Sequence, residues 1–156
     1  MINTKNKTLI GSREVIFFPQ LGITLRAKID TGAKTSSLHA THLQVIEKND
    51  QEWVSFTTLT EAKGKTSSVH CEFPVYDHRQ VRSSNGQAHW RYVIEAEILL
   101  GKTKQKIELT LADRSKMQYP MLLGRTAMNQ HFLVAPGKTY LQGSLSPFVS
   151  LENKCT

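Results

Sequence analysis

Long hydrophobic runs are missing from this 156-residue chain. No stretch approaches the length needed to cross a bilayer, and a mean hydropathy of -0.34 argues against a membrane protein. Met1 to Thr8 is polar and holds no apolar core of signal-peptide length, so the expected location is cytoplasmic, or periplasmic if a leader precedes Met1. Cysteine is equally scarce: Cys71 and Cys155 are too few for a disulfide framework, and reduced thiols are the simpler state. Runs of like charge are absent too. Lys and Arg exceed Asp and Glu by 20 to 13, a net charge of +7, but the basic residues are spread along the chain with no aromatic interleaving. That pattern excludes a dedicated nucleic-acid reader. Neither a His-Glu-x-x-His helix nor a Gly-rich Lys-Ser/Thr phosphate loop occurs, so no metal and no cofactor are expected.

Helical periodicity is scarce as well, and many short strands separated by turn residues fill its place. Arg13 to Phe18 is rich in Val, Ile and Phe and stops at Pro19. Ile23 to Ile29 alternates, with Ile23, Leu25, Ala27 and Ile29 on one face. Leu38 to Ile46, Glu52 to Thr58 and Ser68 to Tyr76 are further strands, parted by turns at Glu47 to Asp50 and at Glu61 to Lys65. His89 to Leu100 and Gln105 to Leu111 flank Gly101-Lys102 as a hairpin with one buried face. One helix of about two turns is expected over Arg125 to His131. The fold class is all-β, a closed or sandwich-like domain, with residues 1–12 as a flexible N-terminal segment, 13–151 as the domain and 152–156 as a tail.

The alternating strand ending at Ile29 delivers Asp30-Thr31-Gly32-Ala33. A carboxylate that must meet a second carboxylate around one water needs such a tight loop: Thr31 can lock it by hydrogen bonds, and Gly32 lets the backbone turn without a Cβ in the way. The tripeptide alone also suits an ordinary turn. Some ninety positions later, Leu122-Leu123-Gly124-Arg125 places two apolar residues and a glycine at the entrance of the short helix.

With Lys28 to Ala40, Val81 to Gly86 and Ile107 to Leu111, these segments resemble a bacterial retropepsin-like family. Its members are often labelled ATP-dependent zinc proteases and are frequently associated with ATP-grasp glutamate ligases. The resemblance runs from about Arg13 to Leu141. It implies a closed acid-protease β-barrel with one short C-terminal helix. Asp30 would be the catalytic residue of an aspartic peptidase, with Thr31 and Gly32 as its loop partners and Leu122, Leu123, Gly124 and Arg125 as the structural signature. It further implies a flap hairpin near Arg82 to Arg91; Ala33, Arg82, Ser83, Ser84, Asn85, Gly86 and Trp90 are the expected substrate-facing residues.

Peptide hydrolysis of this kind needs two carboxylates sharing one proton. The chain supplies one such loop, since Asp113 lacks the Thr-Gly context. The second carboxylate is therefore expected from another copy, in a C2 homodimer. Partners are a peptide or protein substrate, acidic or glutamate-modified, and an ATP-grasp glutamate ligase by association. The rival functions are a non-catalytic accessory module that keeps the fold and a zinc hydrolase built on His39, His70 and Cys71. The zinc alternative suffers from geometry: an odd separation on a strand would point His39 and His42 to opposite faces, and adjacent His70 and Cys71 likewise.

Overall fold

The structure is a computed structural model that describes residues 6–62, 64–82 and 85–143. Twelve strands and one short helix are formed by these residues. The chain opens with β1 (Thr8–Ile10), β2 (Arg13–Phe18) and β3 (Ile23–Ile29), then β4 (Ser36–His39) and β5 (Thr41–Lys48). It continues through β6 (Gln51–Ala62), β7 (Lys65–Pro74), β8 (Asp77–Arg82), β9 (Ala88–Leu100) and β10 (Thr103–Ala112). It ends with β11 (Met121–Leu123), α1 (Arg125–Met128) and β12 (Phe132–Val134).

Six strands close on themselves in the order β10-β4-β11-β3-β2-β9, because β9 pairs back with β10 through an eight-residue register from Thr103↔Leu100 to Thr110↔Val93. The result is the expected closed β-barrel. Period-two alternation fills it: Leu25 and Ala27 on β3, Ile94, Ala96, Ile98 and Leu100 on β9, and Leu109 on β10 are wholly buried. Each large side chain so buried contributes about 1.5–3 kcal/mol. β8 extends β9 beyond the barrel as a hairpin arm.

A second sheet, β5-β6-β7, lies across β3. Polar contacts fix it there: Thr24 N donates to Thr60 Oγ1 at 3.0 Å, and Arg26 donates from Nε and Nη2 to Glu61 Oε2 at 3.0 and 2.7 Å. The single strand expected over Leu38 to Ile46 is in fact two strands in two sheets. β4 stays in the barrel between β10 and β11, whereas the chain turns out at Ala40, His42 takes φ 53°, and the β5–β6 register shifts between Thr41 and Gln44. His39 is therefore buried and His42 exposed for a reason other than strand alternation.

The helix is shorter than expected. It ends at Met128 because Phe132 is drawn into the core and its strand β12 pairs in parallel with β1, Thr8 against Phe132. The packed unit thus begins before Arg13, with Ile10 fully buried. Glu14 ties this end together: its buried carboxylate accepts from Gly11 N at 2.7 Å, Leu141 N at 3.0 Å and Gln142 N at 3.1 Å. Three donors satisfy a carboxylate that burial alone would penalise.

Candidate active site

Asp30 follows the last residue of β3, and its position is set by β11, which runs parallel to β3 with Leu123 opposite Ile29. The Asp30 backbone N–H donates to Leu123 O at 2.9 Å, so Leu122-Leu123-Gly124 threads directly beside the loop. Gly32 N donates to Asp30 Oδ1 at 2.9 Å, an Asx turn that fixes the carboxylate against its own loop. The other oxygen, Oδ2, has no hydrogen-bond partner among the described residues.

The first turn of α1 braces the same loop. Arg125 donates from Nη1 to Thr31 O at 3.2 Å and Gly32 O at 2.9 Å, and from its backbone N to Ala33 O at 2.8 Å. Thr126 adds two bonds to Lys34 O, from its backbone N at 3.1 Å and its hydroxyl at 3.0 Å. Gly124 N donates to the buried Ser36 hydroxyl at 3.0 Å. Gly124 must be glycine for want of space: a Cβ there would lie 2.7 Å from the Thr35 carbonyl carbon and 3.0 Å from Ala33 O. Asp30 is partly buried on this frame, while Thr31 and Gly32 are exposed. A carboxylate with one oxygen tied and one free, on a loop held by backbone bonds, is equipped to act as a general base or to share a proton with a second carboxylate.

The expected flap residues lie on the β8–β9 hairpin. Arg82 pairs with Ala88 and donates from Nη1 to Gly86 O at 3.1 Å, and Gly86 takes φ 84°, which makes the tip turn. Asn85 accepts from Gln87 N at 3.1 Å. Ser83 and Ser84 lie outside the described residues. Trp90 is 62% exposed and leans on His78, whose ring stacks at 4.2 Å on Tyr92. By strand alternation Trp90 and Tyr92 share the face that continues into Ile94 and Ala96 of the barrel core, so the aromatic strip carries that face out along the arm.

Asp113 turns away to its own loop, accepting from the Ser115 backbone N at 2.9 Å and from the Ser115 hydroxyl, and these bonds hold its carboxyl below the usual range. The sequence reading missed Arg114, its neighbour. Arg114 is partly buried, and Asp30 is the charge that supports its cationic form against desolvation. No local pattern marks it, because the charge that acts on it lies far away in the sequence. Among the described residues no three His, Cys, Asp or Glu side chains gather as metal ligands. His39 Nδ1 accepts from Arg114 N at 2.9 Å, and His70 meets Ser55.

A family model described as RimB-like, retropepsin-like aspartic endopeptidase RimB, matches residues 9–144. The chain belongs to the RimB-like family. Curated relatives of this RimB-like chain include proteins named probable alpha-L-glutamate ligase from Shewanella pealeana, 41% identical over 139 residues, and Desulfotalea psychrophila, 40% identical over 141. These matches cover 88% and 90% of this chain, which spans only 30% of the length of either relative. Among solved structures, the crystal structure of Lpg0085 from Legionella pneumophila, a protein described as of unknown function, superposes with a TM-score of 0.69 at 30% identity. It covers 86% of this chain and 98% of that one. Among the described residues of the RimB-like chain, no helix is long and apolar enough to cross a membrane.

Proposed function

We propose that this chain is an aspartic-type peptidase that works as a homodimer, with Asp30 of each copy forming one dyad on the two-fold axis. The observation that carries the reading is the Asp30 loop itself: a carboxylate with one free oxygen, locked by Leu123 and Arg125, with Thr31 and Gly32 exposed beside it. Exposure of the loop leaves room for a second copy, and a C2 arrangement presents the same patch from both sides.

In such a dyad the ionised carboxylate takes a proton from the water that attacks the peptide carbonyl, while the protonated one donates to the carbonyl oxygen. Collapse of the tetrahedral adduct breaks the C–N bond and returns a proton to the leaving amine. The β8–β9 hairpin, with Arg82, Asn85, Gly86 and Trp90, covers the substrate. The relatives' names and the net charge of +7 support a substrate that is acidic or glutamate-modified, and a functional link to a glutamate ligase. The cytoplasm is the proposed compartment.

Asp30→Asn tests the carboxylate. Cleavage of a peptide library should fall by at least about a hundredfold while the unfolding midpoint stays put. Sedimentation should show a dimer under the assay conditions. Unchanged cleavage by the variant would refute the mechanism, and a wild-type dimer that cleaves nothing would favour a non-catalytic accessory module.

A further inference from the structure

The loop from Arg114 to Pro120 forms one wall of a cleft of about 190 Å³, whose lining also includes Arg26, His39, Leu59, Glu61 and Thr66. Two guanidinium groups line this cleft, and only one is neutralised. Arg26 is paired with Glu61 at 2.7 Å. Arg114 spends its Nε on Tyr119 O at 3.0 Å, and its backbone N–H on His39 Nδ1. Among the described residues no acidic side chain bonds to it, and both terminal nitrogens are without a hydrogen bond. Its neighbour Asp113 is taken up by Ser115. Arg79, the other partly buried arginine with charged contacts, is by contrast matched twice, by Asp77 and Glu108 at 2.8 Å each.

Partial burial removes water from the Arg114 cation, and the charge that opposes this effect is the carboxylate of Asp30. An unpaired guanidinium of this kind is a fork fitted to a carboxylate, and its desolvation is already met by the fold instead of falling on the binding step. Two anchors, Tyr119 and His39, hold its root in place. We infer that Arg114 is a specificity-determining residue that receives, in this cleft, a carboxylate side chain of the substrate. The inference rests on the peptidase reading and names the group that would select acidic peptides.

Paired peptides that differ only by Glu or Gln at one position, scanned along both sides of the cleaved bond, test it, with kcat/KM measured for wild type, Arg114→Gln and Arg114→Glu. Wild type should prefer the Glu peptide by roughly tenfold or more, Arg114→Gln should lose that preference, and Arg114→Glu should turn it towards a Lys peptide. The reversal in Arg114→Glu can only be seen in a folded enzyme, which guards against misfolding. A Glu preference that survives in Arg114→Gln overturns the inference, and so does an equal loss on both peptides. A second measurement is independent of turnover: fluorescence anisotropy of a labelled oligo-glutamate peptide on the Asp30→Asn protein, with and without Arg114→Gln. Binding weakened roughly tenfold by Arg114→Gln upholds the carboxylate site even if wild type cleaves nothing, in which case the peptidase reading alone falls. Equal binding by both proteins overturns the site.

Discussion

The Asp30 loop and the β8–β9 hairpin arm are held in opposite ways. At the loop, most bonds come from across the chain: Leu123, Arg125 and Thr126 lie more than ninety positions from the residues they bond, and in each of those bonds the acceptor is a backbone carbonyl. On the arm, apart from the pair of Arg79 with Glu108 on β10, contacts are local, between residues of two adjacent strands or within the tip, as with Arg82 and Gly86 or His78 and Tyr92. Most of its side chains are exposed. A reacting carboxylate gains from being over-determined, since small displacements cost rate. If the arm covers a substrate, as proposed, it gains from weak, local tethering.

Two glycines make the contrast measurable. Gly124→Ala forces a Cβ to within 2.7 Å of the Thr35 backbone, where no flexible side chain can yield. Overpacking of this kind should lower stability by about 2–3 kcal/mol and reduce cleavage with it, because the backbone it displaces is the Asp30 loop's own support. Gly86→Ala on the arm meets nothing within 4 Å and has only its φ of 84° to resist it. A loss of about 1 kcal/mol is expected there. Urea unfolding of both variants checks the ranking; equal losses would show that the arm is as tightly built as the loop.

Loop and arm were also unequally legible in the sequence. β2 and β3 have the ends read from Arg13 to Phe18 and from Ile23 to Ile29, because alternation and the Pro19 turn are local signals. The family's paired segments led from Asp30 to Leu123. The exit of the chain at Ala40 was not visible, since it depends on Ala40 N bonding to Ala112 O and on β6 waiting across the barrel for β5. The three-residue strands β1 and β12 are too short for any period to register. Arg114 was hidden for the same reason as β5: besides Tyr119 in its own loop, its meaning lies in His39 and Asp30, both brought near by folding.

His39 connects the site's rigidity to pH. It is buried, and its Nδ1 accepts the Arg114 N–H, a role that only an unprotonated nitrogen can fill. Burial lowers its pKa most; Asp113, with Oδ1 3.9 Å away, pulls upward, and Arg114 pushes down, for a net decrease below 6.5. The sign follows from linkage: the unfolded chain takes up the proton first, so stability is fully present above about pH 6.5 and is lost as pH falls from there through the lowered folded value. Urea midpoints measured from neutral to mildly acid pH should decline in wild type. His39→Asn should flatten that decline; a decline unchanged in His39→Asn would remove His39 as the proton-sensitive link to Arg114.

The smallest expected effect on stability separates support from contact. Trp90 is 62% exposed, touches His78 with ring centroids 5.2 Å apart, and lies outside the core. Trp90→Ala should change the unfolding free energy by no more than about 0.5 kcal/mol, as for most surface positions. The aromatic strip it belongs to extends the core face over the arm; if the arm covers a peptide substrate as proposed, the effect should fall on KM and leave kcat nearly unchanged. Steady-state kinetics beside urea unfolding decides between the two. A large stability loss would mean that Trp90 braces the hairpin, and the arm would then be a structural wall of the same kind as the Asp30 loop. A raised KM in an equally stable protein would make it a surface kept open for the substrate, held by little because it must let go.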